Sequence, residues 1–228
     1  MPKFREWIKL MSNGLARLKA LCSSSNTMVV QPCLWKGFMI KGFQGRSAEP
    51  LSGERISRHN HVRDALHQAA VQGGLGPIKE PDGLLPGSDD RPADLLIPFW
   101  SGGRDTAVDF TVVNPLQAAL VRKSAEDGES AVEHAHKGKV RKYGERCAAE
   151  GIVFVPLAVD TLGGWHPSAL VFLARLGRQV ASNVGKEGQD VVRHLRQRLA
   201  VLLVRDNVAM LSARTPSFAP PEVDGDIE

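Results

Sequence analysis

The sequence predicts an α/β fold, a compact sheet flanked by helices, with further helices at its C-terminal end. Apolar residues alternate with other types over 94–99 and 106–113, the period of half-buried strands. Val62, Ala65, Leu66, Ala69 and Ala70 recur instead at helical spacing, as do Leu170, Leu173, Leu176 and Val180. The resulting order of helix, strand, strand, strand, helix, strand gives every strand face a helix to pack against.

Residues 1–54 read as a peripheral or poorly ordered segment, with a short helical stretch and then Ser, Gly and Pro punctuation without a sustained period. The helical stretch mixes Lys3, Arg5, Glu6 and Lys9 with Phe4, Trp7, Ile8 and Leu10, so it lacks the unbroken apolar core of a secretion signal or membrane span. A mitochondrial presequence is a minor alternative for this stretch. The folded domain is expected over 55–213 and opens with the helix around Val62, which Gly73-Gly74 ends. A short strand around 77–80 and a Pro/Gly-rich connection lead to the alternating runs.

In the second run Val108, Phe110 and Val112 share one face, and Ala107, Asp109, Thr111 and Val113 the other. In the first, Leu95, Ile97 and Phe99 share a face, with Asp94 at the strand entrance on the opposite side. Ser101-Gly102-Gly103 is a hairpin signal that pairs the runs antiparallel. A polar loop over 124–129 precedes a helix whose stripe is Val132, His136, Val140, Tyr143 and Cys147. Residues 152–159 read as a buried strand, and Pro156 within it predicts an edge or a bulge. Beyond Gly163-Gly164 come a helix with Pro167 in its first turn and a second over about 189–211. Residues 214–228 read as a disordered acidic tail.

Composition bounds the function. At 228 residues, 43% hydrophobic and 24% charged, the chain can bury one good core. A net charge of +4 tilts towards polyanionic partners. Cys22, Cys33 and Cys147 form no CxxC pair, which argues against a structural zinc site or a disulfide framework and fits a reducing, intracellular compartment, nuclear or cytoplasmic.

Asp94 and Asp109 are out of place in apolar strands. Aspartate is depleted there, and a carboxylate against apolar neighbours costs free energy unless cations or donors compensate it. For two such acids on adjacent strands a divalent metal is the cheapest compensation. Phosphodiester cleavage uses that arrangement together with a lysine that stabilises charge. On the following helix, Lys139 borders the apolar stripe and is expected to face the site, whereas Lys142 points further towards solvent as a phosphate contact. Lys137 and Arg141 beside them, and Arg58 and Arg63 on the first helix, are the further candidates for nucleic-acid contact. His59, His61 and His67 lie on one helix without a shared face for 59 and 61, so no histidine-only metal site is expected. His136 reads as a satisfied core histidine, Trp100 and Trp165 as packing anchors, and Arg193-His-Leu-Arg196-Gln-Arg198 as a solvated helix face.

Arg91-Pro-Ala-Asp94, Val108-Asp109-Phe-Thr and His136-Lys-Gly-Lys139-Val-Arg-Lys142-Tyr143 together resemble the restriction-like endonuclease domain, of the PD-(D/E)xK superfamily, carried by certain non-LTR retrotransposon polyproteins. The stretches beginning Gly53-Glu-Arg-Ile-Ser and Pro156-Leu-Ala-Val-Asp are similar to segments of reverse-transcriptase-linked proteins, and the resemblance spans about 53–224. It implies a central mixed sheet with flanking helices, a DNA substrate and cleavage dependent on Mg²⁺ or Mn²⁺. It also implies that Asp94 and Asp109 are metal ligands, Glu80 an auxiliary metal-binding acid and Lys139 a migrated catalytic lysine. Thr111 stands where the superfamily usually has its lysine, and the region before Ser57 offers only Cys22 and Cys33 where a Cys/His zinc knuckle is usual. The reverse transcriptase of the same element is the implied protein partner. Two other readings are a catalytically inactive nuclease fold that binds nucleic acid, and a structural protein forming homo-oligomers through Leu199, Val201, Leu202, Leu203 and Val204.

Overall fold

A computed structural model of the chain describes residues 52–213; the expectations for 1–51 and for the tail from 214 fall outside the described residues. The described elements are α1 (Ser52–Gln72), β1 (Ile78–Lys79), β2 (Leu95–Ser101), β3 (Arg104–Val113), α2 (Val121–Glu126), α3 (Ser130–Lys139), a π-helical turn (Val140–Gly144), α4 (Glu145–Ala149), β4 (Val153–Asp160), α5 (Pro167–Val184) and α6 (Gly188–Ser212). The four strands form one mixed sheet in the order β1-β2-β3-β4. β1 and β2 pair antiparallel, as do β2 and β3, whereas β3 and β4 run parallel.

Each pairing has a local cause. Gly102 and Gly103 take φ of 62° and 77° between the paired Ser101 and Arg104, the left-handed pair that a two-residue hairpin requires and glycine adopts without strain. The chain between β3 and β4 is long enough to return across the sheet through α2 and α3, which a parallel pairing demands. Pro156 stands opposite Asp109 on β4, whose only strand partner among the described residues is β3, so its missing N–H falls on an edge strand.

Alternation along the strands divides the core. Leu95, Ile97, Val108, Phe110, Leu157 and Val159 point to one face, where they pack with Leu66 of α1, Leu173 and Leu176 of α5 and Leu199 and Leu203 of α6. On the other face Val113 and Ala158 meet Val132 of α3, Leu96 and Ala107 pack with Ala93, and Tyr143 and Cys147 with Leu85. The sheet is therefore covered by helices on both sides. His166 caps α5 by accepting from the Ser168 N–H with Pro167 in the first turn, and Gly185, φ 65°, ends it.

Three expectations change. Phe99, expected on the core face, is 76% exposed, because the β2–β3 register shifts between Ile97 and Ser101 and Phe99 adopts a φ of 55°. Pro98 has no N–H for the ladder, the Phe99 N–H donates to Asp105 Oδ1 at 3.0 Å, and Trp100 turns inwards against Phe172 with ring centroids 4.9 Å apart. The polar loop expected over 124–129 begins as helix, since α2 reaches Glu126. Val140 leaves the apolar stripe and is 42% exposed where α3 passes into the π-helical turn, whereas Tyr143 and Cys147 beyond it stay buried.

Candidate functional site

The neighbourhood of Asp109 is assembled by three elements. β3 points Asp109 away from the main core towards α3, and only 5% of the residue is exposed. Asp94 precedes β2 and is fixed by its backbone: its N–H donates to the Val108 carbonyl at 2.9 Å and its carbonyl accepts from the Glu80 N–H at 2.8 Å. Its side chain then reaches β3, where Oδ2 accepts from the Phe110 N–H at 2.6 Å. Because Phe110 is next to Asp109 in the chain, this bond brings the two carboxylates to the same stretch of backbone.

Lys139, the last residue of α3, lays its amine against Asp109. Nζ lies 2.9 Å from both carboxylate oxygens. Only Oδ1 has hydrogen-bond geometry, and Oδ2 remains a buried oxygen with a charge contact but no directed donor. Burial pushes the Asp109 carboxyl up to about 6; Lys139 opposes the rise, the Asp94 charge adds to it, and His59 opposes it.

His59 completes the cluster. From α1 its Nε2 lies 2.9 Å from Asp94 Oδ1, and its ring tilts against Phe110 at 5.7 Å between centroids. In the sequence His59 is one of three histidines on a helix that form no metal site, and it carries no other role there. The signal is its helical phase: His59 lies three residues before Val62 and seven before Leu66, on the face that packs against the sheet.

The remaining site residues scatter. The Glu80 backbone is bonded to Asp94, yet its carboxylate turns to Arg63, so Glu80 does not join the aspartate pair. Arg63 is spent on Glu80 and Asp64. Lys137 pairs with Glu133 at 2.9 Å, and Lys142 approaches Asp90 at 3.5 Å while lying over the Tyr143 ring at 4.5 Å. Arg141 is exposed, with no ion pair among the described residues. Arg58 is buried and donates from Nη1 to Asn207 Oδ1 at 2.6 Å. His136 is satisfied elsewhere: its ring stacks on His166 at 3.9 Å, and Ser168 Oγ lies between the two, 2.7 Å from His166 Nδ1 and 3.4 Å from His136 Nδ1. Trp165 packs on Phe110 with centroids 6.0 Å apart.

Among the described residues no three His, Cys, Asp or Glu side chains converge as a ready metal cage. Two carboxylates nevertheless suit a hard cation that keeps much of its water, since Mg²⁺ is commonly held by one or two carboxylates plus substrate oxygens. The orphaned Asp109 Oδ2 is the atom with capacity to spare. Compared with known proteins, the chain matches no protein-family model and no curated protein at a significant level. No helix among the described residues is long and apolar enough to cross a membrane.

Proposed function

We propose that the chain is a metal-dependent DNA endonuclease of the restriction-like kind, derived from a retroelement, that hydrolyses phosphodiester bonds at Asp94, Asp109 and Lys139. The observation that carries this reading is the amine of Lys139 lying 2.9 Å from both oxygens of a buried aspartate beside a second strand-borne aspartate. The retroelement origin rests on the sequence resemblance around those same residues. DNA is then the substrate, the element's reverse transcriptase a further partner, and the nucleus or cytoplasm the compartment.

Asp94 and Asp109 would hold Mg²⁺ or Mn²⁺, which supplies positive charge to the scissile phosphate. The chain's own groups have separable duties. Asp109 acts as an anion, and Lys139 favours that form by charge and hydrogen bond. The same amine has two further N–H donors, which can meet a phosphate oxygen as charge builds on it. The Phe110 N–H fixes the direction of Asp94, and His59, hydrogen-bonded to the same carboxylate, can give or hold a proton at Nε2.

The test is cleavage of a labelled duplex oligonucleotide by the full chain with Mg²⁺. Lys139→Met is expected to lower the rate by about 100-fold or more, the usual cost of one charge-stabilising donor. Equal rates for the two proteins would remove Lys139 from the mechanism. One observation favours a second reading, a nuclease fold that binds nucleic acid without cutting it: both Asp94 oxygens are engaged, by His59 and by the Phe110 N–H. DNA binding with no cleavage in either metal would select it.

A further inference from the structure

Beside the aspartates, α1 and β3 line an open cleft of about 270 Å³ whose walls include Arg55, Ile56, Arg58, His59, Phe110 and Thr111. Arg55, Arg58 and His59 are spaced i, i+3 and i+4 along α1, so they project from one side of the helix. Among the described residues no acidic side chain lines the cleft. Arg58 is 7% exposed and makes no ion pair among the described residues; Nη1 donates to Asn207, and Nε is buried without an acceptor. A buried guanidinium with no carboxylate in ion-pair contact costs free energy that a bound anion offsets. Burial and the charge of Arg55 lower the Arg58 pKa, with Asp206 opposing, which is the mark of an under-compensated cation.

We propose that this cleft is a phosphate-binding subsite that receives a backbone phosphate of the substrate strand. That a nucleic acid carries the phosphate rests on the nuclease reading; the affinity for phosphate rests on the cleft. Arg58 and Arg55 supply the charge from α1. Ile56, exposed at the rim, offers apolar surface to the attached sugar. His59 belongs both to this wall and to the Asp94 hydrogen bond, so the bound phosphate neighbours the one to be cut.

The experiment uses the full chain in EDTA, where no cleavage intervenes. Melting is followed as inorganic phosphate replaces chloride at constant ionic strength, for wild type, Arg55→Gln and Arg58→Gln. Wild type is expected to show a saturable rise in melting temperature that needs at least fivefold more phosphate in each variant. Single-stranded oligonucleotide binding is expected to lose about 0.7 from its salt slope per variant, the loss of one phosphate contact. Arg55 is exposed, so its variant reports even if Arg58→Gln fails to fold. No phosphate effect in wild type, or an equal one in wild type and Arg55→Gln, overturns the subsite. A wild type that never cuts DNA but loses the phosphate response with Arg55→Gln removes the nuclease reading and keeps the subsite. One that cuts while the variants bind as wild type does the reverse.

Discussion

Asp109 is held where its charge is disfavoured, and this has a thermodynamic signature. Its folded pKa, about 6, lies above the ordinary 3.8, so the folded state binds that proton more tightly than the unfolded one. The contribution to stability is therefore complete below about pH 4, is lost as pH rises towards 6, and stays lost above. Asp109→Asn is expected to melt higher than wild type at pH 8, by on the order of 2–3 kcal/mol, and to match it near pH 3. A variant no more stable at pH 8 would show that the carboxylate is not strained there. The cleavage rate is expected to climb through about pH 6 as Asp109 ionises, and Lys139→Met to move that inflection upwards, because Lys139 opposes the rise. A pH–rate profile of both proteins checks the shift. The convergence of Asp94, Asp109 and Lys139 was legible in the sequence because acids in apolar strands and a lysine at a stripe's edge break local rules. His59 was not, because a histidine on a helix face carries no sign of what it meets across the fold.

Elements whose causes are local were the readable ones. The Gly102-Gly103 hairpin, Pro167 in the first turn of α5 and the buried stripe of α1 all came from residue type and spacing. Phe99 departed because a register shift changes the period, and Val140 where α3 passes into a π-helical turn; no single residue announces either. Phe99 is exposed in a left-handed conformation that costs a non-glycine residue about 1–2 kcal/mol. Phe99→Gly is expected to raise stability by up to about 1 kcal/mol once the added chain entropy is subtracted, and lower stability in a denaturant titration would contradict this. The α5–α6 crossing is tight: a Cβ on Gly177 would come within 2.6 Å of Val192 Cγ2 and 2.9 Å of its Cα. Gly177→Ala is therefore expected to destabilise by about 1–3 kcal/mol through overpacking despite the better helix propensity of alanine, measured as a lower denaturant midpoint.

At the scale of the molecule, the α/β class was legible because helical and strand periods alternate along the chain. Which strands become neighbours was less so, since the parallel β3–β4 pairing depends on where α2 and α3 return the chain. The same limit applies to the proposed oligomer face. Leu199 and Leu203 are spent on the chain's own core, whereas Val201 is 64% exposed. Strand order also makes the site, because adjacent β2 and β3 bring Asp94 and Asp109 together and the crossover helix delivers Lys139. The most direct test of that assembly is incubation of supercoiled plasmid with the purified full chain and Mg²⁺ or Mn²⁺, beside Asp109→Ala and an EDTA control. Nicking that requires the metal and disappears with Asp109→Ala is the expected result; wild type and Asp109→Ala equally inert in both metals, while both still retard DNA in a gel, would contradict it.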